Sequence, residues 1–130
     1  MIIPDYPTKQ RTVARQATCS GIGVHSGKKA HLTIKPAAAN RGIRFVRTDL
    51  PGTPVVSALF NQVVDTSLAT VIGNDGCIIS TIEHLMAALS ALSIDNAVIE
   101  IDAHEMPIMD GSARPFFDLI ETAGIEEQEA

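Results

Sequence analysis

Short apolar segments with a period of two, separated by turn residues, dominate the first 80 residues. Leu32 and Ile34 alternate with polar neighbours, and Ile43 and Phe45 flank Arg44 in the same way. Such alternation is typical of strands that bury one face. Further strands are predicted at residues 55–60, 68–72 and 77–79, with turns at residues 21–27, 39–42 and 73–76. This pattern predicts a mainly antiparallel sheet.

Helical spacing of apolar residues begins only after this strand region. A first helix is predicted over residues 81–92, where Ile82, Leu85 and Leu89 fall on one face. Ser80 and Glu83 form the S-x-x-E pattern of a capping box, in which each side chain bonds a free backbone N–H at the helix start. The capping box places the helix start directly after Ser80.

A second helix is predicted over residues 113–123, with Ser112 as its N-cap and Gly124 as its stop. A strand with alternating apolar residues at 97–101 lies between the two helices. The polar residues 126–130 predict a frayed tail. The fold class is therefore α+β: a two-layer sandwich of a mainly antiparallel sheet with two helices packed on one face.

Composition predicts one globular domain. The chain has 130 residues, of which 45% are apolar and 19% charged, enough to bury a core. No apolar run approaches the roughly 20 residues of a membrane-spanning helix. The first residues have neither the apolar region nor the small-residue cleavage site of a secretion signal. We therefore expect a cytoplasmic protein without a transmembrane segment.

Charge is distributed unevenly along the chain. Residues 1–50 hold nine Lys/Arg and two Asp, whereas residues 51–130 hold one Arg and thirteen Asp/Glu. A basic first third raises the possibility of nucleic acid binding. However, the basic residues form no run and no aromatic residues are interleaved with them. The pattern favours a solvated strand face over a nucleic acid partner. The basic residues assigned to this face are Lys28, Lys29, Lys35, Arg44 and Arg47.

Three of the four histidines have simple structural explanations. His31 lies on the polar face of a strand, and His25 lies in a glycine-rich turn where it satisfies backbone groups. The pair His104-Glu105 resembles the start of a zinc-binding H-E-x-x-H motif. Its second histidine would fall on Ile108, so the motif is absent.

Glu83 and His84 are the residues best placed for chemistry. They lie in the first turn of the predicted helix, off its apolar stripe. A neutral imidazole that binds zinc, beside a carboxylate that takes a proton from water, is what metal-assisted hydrolysis requires. From spacing alone, however, a capping role for Glu83 is the simpler explanation. A catalytic zinc also needs about three protein ligands, and the chain offers one well-placed histidine.

Five motifs follow one another along the chain: G-I-G-V-H-S-G at 21–27, G-I-R-F at 42–45, D-T at 65–66, S-T-I-E-H-L at 80–85 and P-I-M-D-G-S at 107–112. In this order they closely resemble the N-terminal domain of the UDP-3-O-acyl-N-acetylglucosamine deacetylase family. These enzymes are zinc amidases of lipid A biosynthesis in Gram-negative bacteria. The resemblance covers nearly all of residues 9–125.

The resemblance implies roles for individual residues. Glu83 is implied to be the general base and His84 a zinc ligand. Val24 matches a position close to bound ligand, and a further stretch matches the insert that lines the substrate side: Thr66, Ser67, Leu68 and Ala69. His25 occupies a position near the cleft. Asp110 matches the D-G-S turn, where capping of the second helix and a catalytic role both stay open.

The resemblance also implies a second domain. In the family the remaining zinc ligands, a His and an Asp, lie in that domain, as do a catalytic His and a Lys. We therefore expect this chain to be the N-terminal domain of a deacetylase that hydrolyses the N-acetyl group of UDP-3-O-acyl-N-acetylglucosamine, and to be inactive by itself. The alternative is a non-catalytic binding or self-association module with the same fold, using small helix residues: Ala87, Ala88 and Ala91.

Overall fold

The structure is a computed structural model that describes residues 9–23, 25–58, 63–65, 71–74 and 77–129. Within these residues the chain forms ten strands and two helices. In chain order they are β1 (Arg11–Val13), β2 (Ala17–Ile22), β3 (Lys29–Pro36), β4 (Ile43–Arg47), β5 (Val55–Ser57), β6 (Val63–Asp65), β7 (Val71–Asn74), β8 (Cys77–Ser80), α1 (Glu83–Ala91), β9 (Ala97–Ile101), α2 (Arg114–Ala123) and β10 (Ile125–Glu127).

The main sheet has the strand order β2-β3-β9-β4-β5. Neighbouring strands are antiparallel except β4 and β9, which run parallel with Phe45 opposite Ile99. On the other side of β9, Leu32 of β3 lies opposite Ile101. The predicted mainly antiparallel sheet is confirmed, and the late strand β9 occupies its centre.

One face of this sheet and both helices share a hydrophobic core. The alternation with a period of two correctly predicts which residues of β3 and β9 are buried. They are Ala30, Leu32 and Ile34 in β3 and Ala97, Ile99 and Ile101 in β9. These residues join the apolar faces of the helices in one cluster, whose largest fully buried members include Leu32, Ile34, Phe45, Leu85, Leu89, Ile99, Ile101, Phe116 and Ile120. The predicted α+β sandwich is confirmed.

Two smaller sheets complete the domain. In the sheet β6-β7-β8, Asn74 pairs with Cys77, which confirms the predicted hairpin at this place. In the other, β1 and β10 join the two ends of the described chain. The prediction that the tail frays from residue 126 is wrong for residues 126–128. Strand β10 extends to Glu127, and the Gln128 N–H donates to the Gln10 carbonyl at 2.8 Å.

The start of α1 differs from the prediction. The helix begins at Glu83 with Ile82 as N-cap, and no side chain caps it. Ser80 is the last residue of β8, where its N–H donates to the His104 carbonyl at 2.8 Å and its hydroxyl approaches the same oxygen at 3.2 Å. The predicted capping box is therefore wrong, because strand pairing holds Ser80 outside the helix.

Arg47 also differs from the prediction of a solvated basic face. Its side chain is buried, with the residue 6% exposed, and its guanidinium donates to Asp49 from Nε at 2.8 Å and Nη2 at 2.7 Å. This hydrogen bond lowers the pKa of the Asp49 carboxyl. The bidentate pairing allows Arg47 to lie inside the domain, whereas Lys28 and Lys29 are exposed as predicted.

Candidate active site

Three motif-bearing segments meet at one end of the main sheet. They are the glycine-rich turn at the end of β2 (residues 21–23 and 25–27), the corner between β8 and α1 at Thr81, and the loop 102–112 after β9. The Ile108 N–H donates to the Ile22 carbonyl at 2.9 Å, which joins the loop to the turn. The Met106 N–H donates to the Ser80 carbonyl at 3.1 Å, which joins the loop to the corner.

Glu105 lies at the point where these segments meet. It is 1% exposed, and its carboxylate accepts hydrogen bonds from the N–H groups of His25 at 3.1 Å and Ser26 at 2.9 Å. The Thr81 hydroxyl donates to Oε2 at 3.1 Å, and Nδ1 of the His25 ring lies 3.3 Å from the same oxygen. One carboxylate therefore binds the turn and the corner together.

The environment of Glu105 favours its charged form. Burial raises the pKa of the carboxyl, but hydrogen bonds donated by the Ser26 and His25 N–H groups and by the Ser26 and Thr81 hydroxyls outweigh burial. The net result is a lowered pKa, as expected for a carboxylate that accepts several N–H bonds. Glu105 is thus a buried anion near neutral pH.

This lowered pKa predicts a specific acid sensitivity. Because the folded-state pKa lies below the unfolded value of about 4.3, Glu105 contributes stability that is complete above that pH and is lost as the pH falls through the folded pKa. The stability difference between wild type and Glu105→Gln is expected to be largest at neutral pH and to shrink in acid. Urea denaturation at a series of pH values measures it. A difference that stays constant down to about pH 3 would contradict the assignment.

Gly23 and Gly21 allow the segments to approach so closely. A Cβ at position 23 would overlap Oε1 of Glu105 and lie 2.6 Å from the Ser26 hydroxyl oxygen. A Cβ at position 21 would lie 2.9 Å from the Cβ of Pro107. The glycine-rich sequence of the turn is thus explained by close contact with the loop 102–112.

Glu83 and His84 are half-buried in the first turn of α1. Neither belongs to the buried stripe of this helix, which is formed by Leu85, Ala88 and Leu89. An acidic residue in the first turn is favoured by the positive end of the helix dipole. The pair follows the Thr81 corner of this junction by two and three residues.

Thr81, two residues before Glu83, has a left-handed backbone with φ of 63°. This conformation costs a β-branched residue roughly 1–2 kcal/mol. Strained residues are found mostly where the surrounding structure fixes them, often at functional sites. Here the Thr81 side chain is buried and tied to Glu105, which holds the corner in place.

Asp110 is exposed and belongs to the turn before α2. Its Oδ1 accepts hydrogen bonds from the Ser112 hydroxyl at 2.6 Å and the Ser112 N–H at 2.9 Å. The Ser112 hydroxyl, then the Ser112 N–H, lower the pKa of the Asp110 carboxyl. The predicted N-cap role of Ser112 is wrong, because Ala113 is the N-cap of α2 and no side chain caps it. The Ser112 hydroxyl instead accepts a hydrogen bond from the Arg114 N–H at 3.3 Å.

The described part of the chain does not contain a complete metal site. Among its residues, no three His, Cys, Asp or Glu side chains come together. His84 supplies one imidazole, whereas the exposed His31 pairs with Asp102, its Nδ1 2.8 Å from Oδ2. The predicted ligand-side residues lie outside the described residues: Val24, Thr66, Ser67, Leu68 and Ala69.

The sequence motifs do not predict Glu105 as a site residue. The pair His104-Glu105 resembles only the beginning of a zinc motif whose second histidine is replaced by Ile108. The sequence feature that points to such a residue is the glycine-rich turn, because its backbone N–H groups need a hydrogen-bond acceptor when the turn is buried. The acceptor is about 80 positions away, as His25 and Glu105 are separated by 80 residues.

An apolar groove lies between the two helices. It has a volume of about 400 Å³ and is lined by Ala87, Ala88, Ala91, Ala113, Arg114 and Phe117. Ala87 and Ala91 are exposed, whereas Ala88 is buried. The small residues noted in the sequence thus form an accessible apolar surface.

In the described part of the chain, neither helix is long and apolar enough to cross a membrane.

Comparison with known proteins gives a consistent result. The model of the family described as "UDP-3-O-acyl N-acetylglycosamine deacetylase" matches residues 10–130. A UDP-3-O-acyl-N-acetylglucosamine deacetylase of Myxococcus xanthus (strain DK1622) is 54% identical over 121 residues, which cover 93% of this chain and 38% of that relative. Deacetylases of the same name from Shewanella halifaxensis (strain HAW-EB4) and Haemophilus ducreyi (strain 35000HP / ATCC 700724) are 56% and 54% identical over 93% and 94% of the chain. The chain spans 40% of the length of each of these two.

Proposed function

Because the chain belongs to the UDP-3-O-acyl N-acetylglycosamine deacetylase family, we propose that it is the N-terminal domain of a zinc-dependent amide hydrolase. The proposed reaction removes the N-acetyl group of UDP-3-O-acyl-N-acetylglucosamine in lipid A biosynthesis. The observation that carries this proposal is the convergence of three motif-bearing segments next to Glu83 and His84. The relatives' printed names support the substrate.

Glu83 is proposed as the general base and His84 as one zinc ligand. The Glu83 carboxylate takes a proton from water, whose oxygen bonds to the acetamide carbonyl carbon. The C–N bond then breaks, and the proton passes to the leaving nitrogen, so that acetate and a free amine result. Zinc, when bound, supplies Lewis acidity toward water and the amide carbonyl.

The position of Glu83 in the helix supports this assignment. A capping box would account for Glu83 through helix stability alone, but Ser80 lies in β8 and does not cap α1. The competing explanation for a carboxylate at this place is thus weakened. A carboxylate next to an imidazole at a helix start also supplies the two groups that metal-assisted proton transfer from water requires.

The other zinc ligands are proposed to lie in the portion of the family proteins that residues 1–130 do not span. A catalytic zinc is held by about three protein ligands, and His84 is one. The accessible groove between α1 and α2 offers an apolar surface on which a second domain can pack. The alternative, a non-catalytic self-association module, would place a second copy there, and substitution of Glu83 separates the two.

We expect residues 1–130 alone to bind zinc weakly and to have negligible deacetylase activity. One imidazole and one neighbouring carboxylate make fewer bonds than a catalytic zinc site needs. Isothermal calorimetry with zinc measures the affinity, and His84→Ala serves as the matched control. Tight binding of one zinc ion per chain that is lost in His84→Ala would show that the site is complete within these residues.

A further inference from the structure

We propose that Glu105 is a positioning residue of the hydrolytic site, which fixes the glycine-rich turn and the Thr81 corner in one relative geometry. This inference rests on the proposed function, because the site that Glu105 organises is the one that contains Glu83 and His84. Glu105 itself is buried behind these segments and is not assigned to contact substrate or metal.

The first support is the number of donors that converge on one carboxylate. Two N–H groups of the turn, from His25 and Ser26, and one hydroxyl of the corner, from Thr81, donate to it at 2.9–3.1 Å. Nδ1 of the His25 ring is a further close neighbour at 3.3 Å. A carboxylate has about four acceptor sites. The donors come from two separate segments, so the carboxylate fixes the distance between them.

The second support is the short covalent path from this carboxylate to the proposed base. Thr81 is two residues before Glu83, and its strained backbone, with φ of 63°, directs the chain from β8 into α1. No side-chain cap holds the helix start at Ile82. The Thr81 hydroxyl bond to Glu105 is therefore a side-chain restraint at the corner where α1 leaves the sheet. Displacement of a catalytic group by about 1 Å can reduce turnover by about 100-fold.

The third support is the fit of the turn around the carboxylate. Gly23 leaves no room for a Cβ beside Oε1, and the N–H groups of His25 and Ser26 donate to the same carboxylate, so the described part of the turn follows the surface of Glu105. Any change in the carboxylate changes the turn as well as the helix start. Glu105 thus connects the glycine-rich turn, which is predicted to lie near the ligand, with the start of α1, where Glu83 is predicted to transfer a proton.

The test uses the full-length deacetylase with two substitutions. Glu105→Gln keeps the shape but removes the charge, and Thr81→Val removes only the hydroxyl. We expect Thr81→Val to lower kcat about 10-fold with little change in KM, because it acts on the helix start alone. Glu105→Gln should lower kcat by about 10–100-fold and also raise KM, because it acts on both segments.

Asn96→Ala is the matched control for a loss of stability without a loss of positioning. The Asn96 side chain is also buried and hydrogen-bonded, to Gln10, Arg41, Gly42 and Gln128. Asn96 lies before the start of β9, whereas Glu105 follows its end. Five residues of strand rise separate Asn96 from Ile101, about 17 Å. This variant should lower Tm yet keep kcat and KM close to wild type at 25 °C.

A second readout does not depend on turnover. Backbone amide resonances of His25, Ser26, Glu83 and His84 are measured by NMR in each variant, with zinc content determined in parallel. Shifts at positions 83 and 84 in Thr81→Val, with zinc content retained, support the proposal. Unmoved resonances there, kinetics within threefold of wild type, or a loss of activity that Asn96→Ala reproduces would each overturn it. If wild type itself releases no acetate, the proposed function fails, and the amide shifts still decide whether Glu105 positions the helix start.

Discussion

Glu83→Gln in the full-length deacetylase is expected to lower kcat by about 10²–10⁴-fold, the usual contribution of a general base. The amide side chain has nearly the shape of the carboxylate but does not accept a proton from water. Steady-state acetate release measures the effect. Glu121→Gln, the same chemical change at an exposed position of α2, is the control and should leave turnover unchanged.

The folding stability of Glu83→Gln separates catalysis from helix capping. Since α1 begins at Glu83 and Ser80 belongs to β8, the substitution removes no capping box. An acidic side chain at a helix start contributes about 0.3–1 kcal/mol through the helix dipole, and we expect a cost of that order. Turnover that survives near the wild-type rate would refute the base assignment and favour the non-catalytic module. Collapse of kcat with unfolding free energy nearly unchanged would support the base.

Gly23→Ala is expected to destabilise the domain by about 3 kcal/mol, the range for overpacking combined with disturbance of a buried charge. The added Cβ would overlap the Glu105 carboxylate, whose hydrogen bonds to Ser26 and His25 would then break. Denaturation by urea, monitored by circular dichroism, gives the free energy of unfolding.

Gly27→Ala tests the same turn without the overlap. Unlike Gly23, Gly27 has a left-handed backbone, with φ of 67°, but a Cβ there meets no atom within 4 Å. Only the conformational cost of about 1–2 kcal/mol applies. Equal losses in the two variants would show that the turn moves away from Glu105 freely, which would weaken both the packing argument and the positioning role.

The sequence predicts the sheet well because each strand has its own alternation. In β3 and β9 the buried residues follow a period of two, and this signal does not depend on which strands become neighbours. The strand order is a different matter. The parallel pair β4-β9 joins segments distant in the chain, and local patterns carry no information about such pairing.

Next to the candidate site, the start of α1 differs from the prediction for the same reason. S-x-x-E at residues 80–83 satisfies the local rule for a capping box, but Ser80 pairs with the distant loop at His104 and stays in a strand. The strand pattern predicts Arg47 on a solvated face, whereas its guanidinium pairs with Asp49, two residues on, and is buried. For Ser80 a distant partner overrides the local rule, whereas Arg47 is buried because a residue close in sequence neutralises its charge.

The central place of β9 has a consequence for biosynthesis. Its partners β3 and β4 leave the ribosome first, and roughly 50 residues follow before β9 does, which takes about 3–10 s at common translation rates. During this interval the inner edges of both strands have no hydrogen-bonding neighbour in the sheet. Exposed strand edges favour aggregation. The nascent chain is therefore most prone to aggregation during these seconds. Because β9 pairs with strands distant in the sequence, the main sheet forms late, once β9 lies between β3 and β4.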